Sequence, residues 1–140
     1  MGKAVEFKNV TKAYGEVKAV RDLSFTIDHG KLVTLLGPSG CGKTTTLRLI
    51  AGLEMVTEGN VFIGDKEVTR ISASDRDVSM VFQSYALFPH MTVIQNVSYG
   101  LTMSRLSKEE VSEKAQDGLN LVGLTDFGKR LPSELSGGQQ

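Results

Sequence analysis

The sequence predicts an α/β fold with a β-rich front, a strand–loop–helix unit in the middle and a helical segment behind. Three observations predict it. Two stretches near the start alternate apolar and polar residues, the period of a half-buried strand. A short unbroken apolar run then feeds into glycines and a helix-forming stretch. From about Leu101 onward, apolar residues recur at helical spacing instead.

In chain order, "AVEFKNVTKAY" and "VKAVRDLSFTID" are the alternating strands, and "HG" after the second reads as a turn. "KLVTLLG" does not alternate, which predicts a strand buried on both faces. "KTTTLRLIAGL" predicts a helix closed by Gly52. "GNVFIGDKEV" predicts a short strand with a Gly-Asp turn, and "RDVSMVFQ" a second buried strand. "MTVIQNVSYGL" predicts a short helix. In "SKEEVSEKAQDGLNLVGL" the Ser107/Glu110 pair forms a capping box, Val111, Ala115, Leu119 and Val122 line one face, and Gly123 ends the helix. No internal repeat, low-complexity tract or linker interrupts the pattern.

Composition narrows the function. With 16 Lys and Arg against 16 Asp and Glu, the 140-residue chain has no net charge, which argues against a nucleic-acid partner. No apolar run approaches the roughly 18 to 20 residues that span a bilayer. The start has no signal-peptide core, and Glu6 stands where a myristoylation motif needs Ser or Thr. The single cysteine, Cys41, forms no internal disulfide, as suits a reducing cytosol. A membrane is expected to be met through a partner.

"GPSGCGKT", Gly37 to Thr44, fits the phosphate-loop pattern G-x-x-x-x-G-K-[ST] without a departure. A bound phosphate is approached by backbone with no side chain in the way, which Gly37, Gly40 and Gly42 permit, with Pro38, Ser39 and Cys41 between them. The freed N–H groups converge at a helix start, where the dipole also favours anions. Lys43 is expected to reach the β- and γ-phosphates, the Thr44 hydroxyl to ligate Mg²⁺, and Thr45 to follow it in the first turn. Cys41 reads either as a thiol activated by its cationic surroundings or as a small loop residue.

A phosphate loop alone would suit a kinase, a GTPase, a helicase or a transporter motor. Gln83 closes an apolar run, where a carboxamide could touch Mg²⁺ or the attacking water, yet a solvent-facing glutamine reads equally well. Tyr14 could stack on adenine, although a lone turn tyrosine is more often structural. "LSGGQ", Leu135 to Gln139, places Ser136 at an N-cap with Gly137 and Gly138 exposing backbone N–H groups, a second anion site. Two copies meeting head to tail could then hold one nucleotide between the phosphate loop of one and the LSGGQ of the other.

"GPSGCGKTT", Gln83 within "MVFQSYALFPHMTV" and "LSGGQQ", in this order, resemble the ATP-binding subunit of an ABC transporter, over all 140 residues. The stretch from Gln83 onward most resembles bacterial importer ATPases of the ferric iron, polyamine, sulfate and sugar group. The resemblance implies a P-loop nucleotide-binding fold with an N-terminal antiparallel β-subdomain and core over about residues 1–83, and the start of a helical subdomain over 84–140. It implies ATP and Mg²⁺ as ligands, Tyr14 as the adenine-stacking aromatic, Gln83 and Lys43 as catalytic groups, and Ser136, Gly137 and Gly138 as γ-phosphate contacts across a dimer. It implies a second ATP-binding subunit, membrane permease subunits docking near Tyr85, Leu87, Phe88 and Met91, an external solute-binding protein, and a peripheral place on the cytoplasmic face of the membrane. Those four residues would also suit the buried core of the helical subdomain.

Family members continue past LSGGQ with an apolar strand ending in Asp-Glu and then a loop histidine. Asp28 and Asp65 are followed by His29 and Lys66, so neither supplies that pair, and His29 and His90 are expected to be surface or structural residues. The chain therefore reads as an N-terminal fragment of an importer motor, with little hydrolysis of its own. The alternatives are an ABC-type ATPase that moves nothing across a membrane, or a non-catalytic nucleotide-binding fragment.

Overall fold

The computed structural model describes residues 2–140. The chain divides into two compact units, one reaching to Met80 and the other Val81–Gln140. The first is a four-stranded antiparallel sheet with a helix. Strands β1 (Lys3–Tyr14), β2 (Val17–Asp28), β3 (Glu58–Ile63) and β4 (Lys66–Glu67) lie in the order β2-β1-β3-β4. The alternation read in the sequence sets the register: Phe7 faces Phe25 on one side and Val61 on the other, and the two phenyl rings stack at 4.6 Å.

The β1–β2 register shifts at four places, one of them between Phe7 and Val10. Asn9 and Asp22 take left-handed backbone there, with φ 51° and 42°. Polar side chains bridge the break, the Asn9 amide Nδ2 donating to Asp22 Oδ1 at 2.9 Å and the Asn9 N–H to Ser24 Oγ at 2.8 Å. Helix α1 (Lys43–Ala51) adds Leu49, fully buried, to a core of Phe7, Val10, Val20, Val56, Val61 and Val68. Gly52 closes α1 in left-handed conformation, φ 74°, as its position predicts.

The second unit packs α2 (Val93–Thr102) on α3 (Lys108–Leu121) around Val93, Leu119 and Leu135. Both helices begin with complete capping boxes, Thr92 with Gln95 and Ser107 with Glu110. Gly123 takes φ 70° just past the end of α3. Ala115 and Leu119 line the buried face as expected and Val111 is half-buried, but Val122 is an exposed C-cap and not part of that stripe.

Two expectations fail. Neither "KLVTLLG" nor "RDVSMVFQ" forms a strand, and both run as irregular backbone. Leu32 is 97% exposed, Leu36 87% and Val81 94%. An unbroken apolar run states a demand for cover on two faces and for ladder partners on two edges. Among the described residues the sheet supplies neither, because no strand of β1–β4 pairs with these segments.

Candidate functional site

The loop Gly37–Gly42 leads straight into α1. Gly42 is the N-cap, in left-handed conformation at φ 91°, and no side chain caps the helix. A Cβ on Gly42 would stand 2.5 Å from the Ala19 carbonyl oxygen of β2, so the loop packs on the strand's bare backbone and only glycine fits. The first-turn N–H groups of α1 are left without a side-chain acceptor, at the end of the helix where its dipole is positive.

Lys43 arches back over this loop. Its Nζ donates to the Gly37 carbonyl at 2.7 Å and the Pro38 carbonyl at 2.6 Å, and lies 3.4 Å from the Cys41 sulfur. An ammonium has three donors, and the one facing sulfur is spent on a weak acceptor that a phosphate oxygen outcompetes. Ser39, Gly40, Cys41 and Thr44 are exposed, while Thr45 is half-buried. Thr46 is buried and its hydroxyl donates to the Gly42 carbonyl at 3.0 Å, fastening the loop to the helix. A cleft of about 370 Å³ runs beside Gly40 and Cys41, walled by β2 residues that include Lys18 and Arg21. The donors, the helix start and the charges around it fit a polyphosphate.

Tyr14 ends β1 with its side chain nearly half exposed. The Lys12 ammonium sits over the ring, 4.8 Å from its centroid. That ammonium is anchored by Glu54 at 3.0 Å and by the Met55 carbonyl at 2.9 Å. Lys12 in turn holds the Glu54 carboxyl below the usual carboxylate range.

Within the second unit, Gln83 is exposed and opens a turn in which Tyr85 and Ala86 both take left-handed backbone, φ 63° and 53°. Two such residues without glycine cost on the order of 1–2 kcal/mol each. Tyr85 and Phe88 are exposed, and Leu87 and Met91 half-buried. Phe88 packs on Tyr99 at 4.6 Å and meets His90 edge-on at 6.1 Å. His29 merely closes the turn after β2, its N–H donating to the Gly2 carbonyl at 3.2 Å.

Leu135 is buried in the second core, and Ser136 opens a helical turn. Its Oγ accepts from the Gln139 N–H at 3.4 Å while Gln139 Oε1 accepts from the Ser136 N–H at 2.9 Å, a reciprocal cap. Gly137 and Gly138 are exposed, and the Tyr85 hydroxyl would lie 3.9 Å from a Cβ at Gly137.

Sequence reasoning missed two residues. Asn96 of α2 pins the segment after Gln83, accepting from the Phe88 N–H at 2.8 Å and donating to the Phe88, Met91 and Thr92 carbonyls at 3.0–3.1 Å. Arg76 is 7% exposed and gives its guanidinium to backbone carbonyls from both ends of the α1–β4 region. Neither carries a motif: Arg76 meets carbonyls as far away as Leu49, and Asn96 meets a loop that folds back on the start of its own helix.

A model of the ABC transporter family matches residues 20–140, and the chain belongs to that family. It is 63% identical over 137 residues to the Fe(3+) ions import ATP-binding protein FbpC of Brucella abortus (strain 2308), covering 98% of this chain and 39% of that protein. It is 50% identical over 136 residues to the spermidine/putrescine import ATP-binding protein PotA of Haemophilus ducreyi, covering 97% of this chain and 37% of that protein. The fold is similar to a solved dimeric ATP-binding cassette in a post-hydrolysis state bound to ADP and Pi. That match has TM-score 0.86 and 34% identity, and it covers 96% of this chain and 64% of the other. The chain thus spans 39% of the length of its iron-import relative. No helix among the described residues is long and apolar enough to cross a membrane.

Proposed function

We propose that the chain is the ATP-binding portion of an importer motor, holding the phosphates of Mg·ATP on the Gly37–Thr45 loop. One observation carries this reading: an uncapped helix start, packed on bare strand backbone, with an ammonium arched over its glycines. Lys43 binds the β- and γ-phosphates, Tyr14 offers the ring face away from Lys12 to adenine, and Thr44 and Gln83 are the candidate Mg²⁺ ligands. Bound Mg²⁺ would offset phosphate charge there. Ser136, Gly137 and Gly138 of a second copy complete the site across a head-to-tail dimer, as the dimeric cassette of similar fold supports.

The protein carrying this chain then couples ATP binding and hydrolysis to solute import, at the cytoplasmic face of a membrane. Tyr85, Leu87, Phe88 and Met91 receive a helix of the permease subunit, and an external binding protein supplies the solute. The exposed aromatics around the strained Gln83–Ala86 turn suit a helix-in-groove contact. The test is a titration of Lys43→Ala with labelled ATP. Loss of a charged hydrogen bond predicts affinity weaker by about 1.5–3 kcal/mol. Unchanged affinity contradicts the cradle.

A further inference from the structure

Arg76 is the most deeply buried charged side chain in the first unit, and among the described residues it forms no ion pair. Its partners are all carbonyl oxygens. Nη1 donates to Leu49 at 2.6 Å and Ile50 at 2.8 Å, the last turn of α1. Nη2 donates to Val68 at 2.7 Å and Nε to Ile71 at 2.9 Å, on the segment after β4. One planar fork therefore joins the far end of the phosphate-loop helix to the segment that runs on toward Gln83. A cation at the C-terminal end of a helix also complements its dipole. Gly52 makes the room: a Cβ there would stand 2.6 Å from Nε and 2.9 Å from Cζ.

We propose that Arg76 is a positioning residue for the nucleotide cradle, fixing the C-terminal end of α1 and thereby the aim of the N–H groups and of Lys43 at the other end. Helix α1 has nine residues and is rigid on that scale, so a tilt at its last turn moves its first. The helix is held at both ends: its start by Gly42 on β2, and its last turn by Leu49 in the core and by Arg76. Lysine cannot replace the fork, because a single ammonium cannot reach four carbonyls on two segments in a planar array.

The proposal rests on the reading of Gly37–Thr45 as a phosphate site, and the test separates the two. In the complete gene product, Arg76→Lys and Gly52→Ala are compared with Lys43→Ala by titration with labelled ATP and ADP, below the melting temperature of each variant. Both positioning variants are expected to weaken ATP and ADP alike, by about tenfold. A merely structural Arg76 would lower the melting temperature and leave both affinities within about twofold, which overturns the proposal. Affinity unchanged in Lys43→Ala overturns the phosphate site and this inference together; affinity lost there but kept in the Arg76 and Gly52 variants overturns the inference alone. Amide exchange in the unsubstituted protein guards against misfolded variants. Mg·ADP is expected to slow exchange at Gly52, Leu53 and Ile71, and no change there contradicts the link.

Discussion

The chain contains a glycine-rich helix start at Gly42 and a glycine-rich turn at Ser136, and they are built in opposite ways. At Gly42 the N-cap has no side chain, the first-turn N–H groups meet no side-chain acceptor, and the cap lies against strand backbone. At Ser136 the serine and Gln139 satisfy one another, and the glycines beside them are open. The first start leaves its hydrogen-bonding capacity to a ligand. The second is self-sufficient and presents only Gly137 and Gly138. A nucleotide should therefore find the first without help, and the second only when a partner copy brings it.

Substitutions can break this contrast in order of size. Gly42→Ala forces a Cβ against the Ala19 carbonyl and a left-handed backbone onto alanine. Nucleotide binding is expected to vanish in titration, with stability down by at least about 1–2 kcal/mol in denaturant melts. Asn96→Ala removes the acceptor of the Phe88 N–H and the amide that donates to the Phe88, Met91 and Thr92 carbonyls, and about 1–3 kcal/mol should be lost from the second unit. Nucleotide affinity should not change, because Asn96 holds the segment around Phe88. Ser136→Ala removes one half of the reciprocal cap, at about 0.5–2 kcal/mol, and should leave monomer affinity for ADP intact while impairing nucleotide-driven dimerisation in sedimentation.

The smallest effect is a titration. The Ser107 N–H and hydroxyl hold the Glu110 carboxyl below its usual range. A carboxylate lowered in the folded state stabilises fully above its ordinary pKa, and that contribution fades as pH falls through the lowered value. Acidification should loosen the start of α3, seen as faster amide exchange at Glu110 and Val111, and Glu110→Ala should abolish the pH dependence. Gly42 and Lys43 should show no corresponding change.

Much of this was legible in residue order. The alternation of "AVEFKNVTKAY" and "VKAVRDLSFTID" sets which faces meet, and strands β1 and β2 pair accordingly. The Ser107/Glu110 box and the glycines at 52 and 123 end and start helices by local chemistry, so they needed no tertiary knowledge. The loop proposed to hold phosphate is likewise read locally, since the residue types such a loop needs are dictated by how closely backbone must approach an anion. The apolar runs at Lys31–Leu36 and Arg76–Gln83 misled because burial demand says nothing about which strand supplies it. Arg76 stayed hidden for the same reason in reverse, as a polar residue whose acceptors are carbonyls of other segments, and Asn96 because nothing in its sequence shows that the loop before α2 folds back onto it. The left-handed Tyr85–Ala86 pair carries no glycine to announce it.

An amide-resolved NMR titration of the protein with Mg·ADP, at concentrations where it is monomeric, tests the contrast between the Gly42 helix start and the Ser136 turn most directly. The N–H signals of Gly40, Gly42, Lys43 and Thr44 should move from the first additions, while Gly137 and Gly138 stay still until conditions favour dimers. Movement at Gly137 and Gly138 first, or none at Gly40–Thr44, contradicts the account.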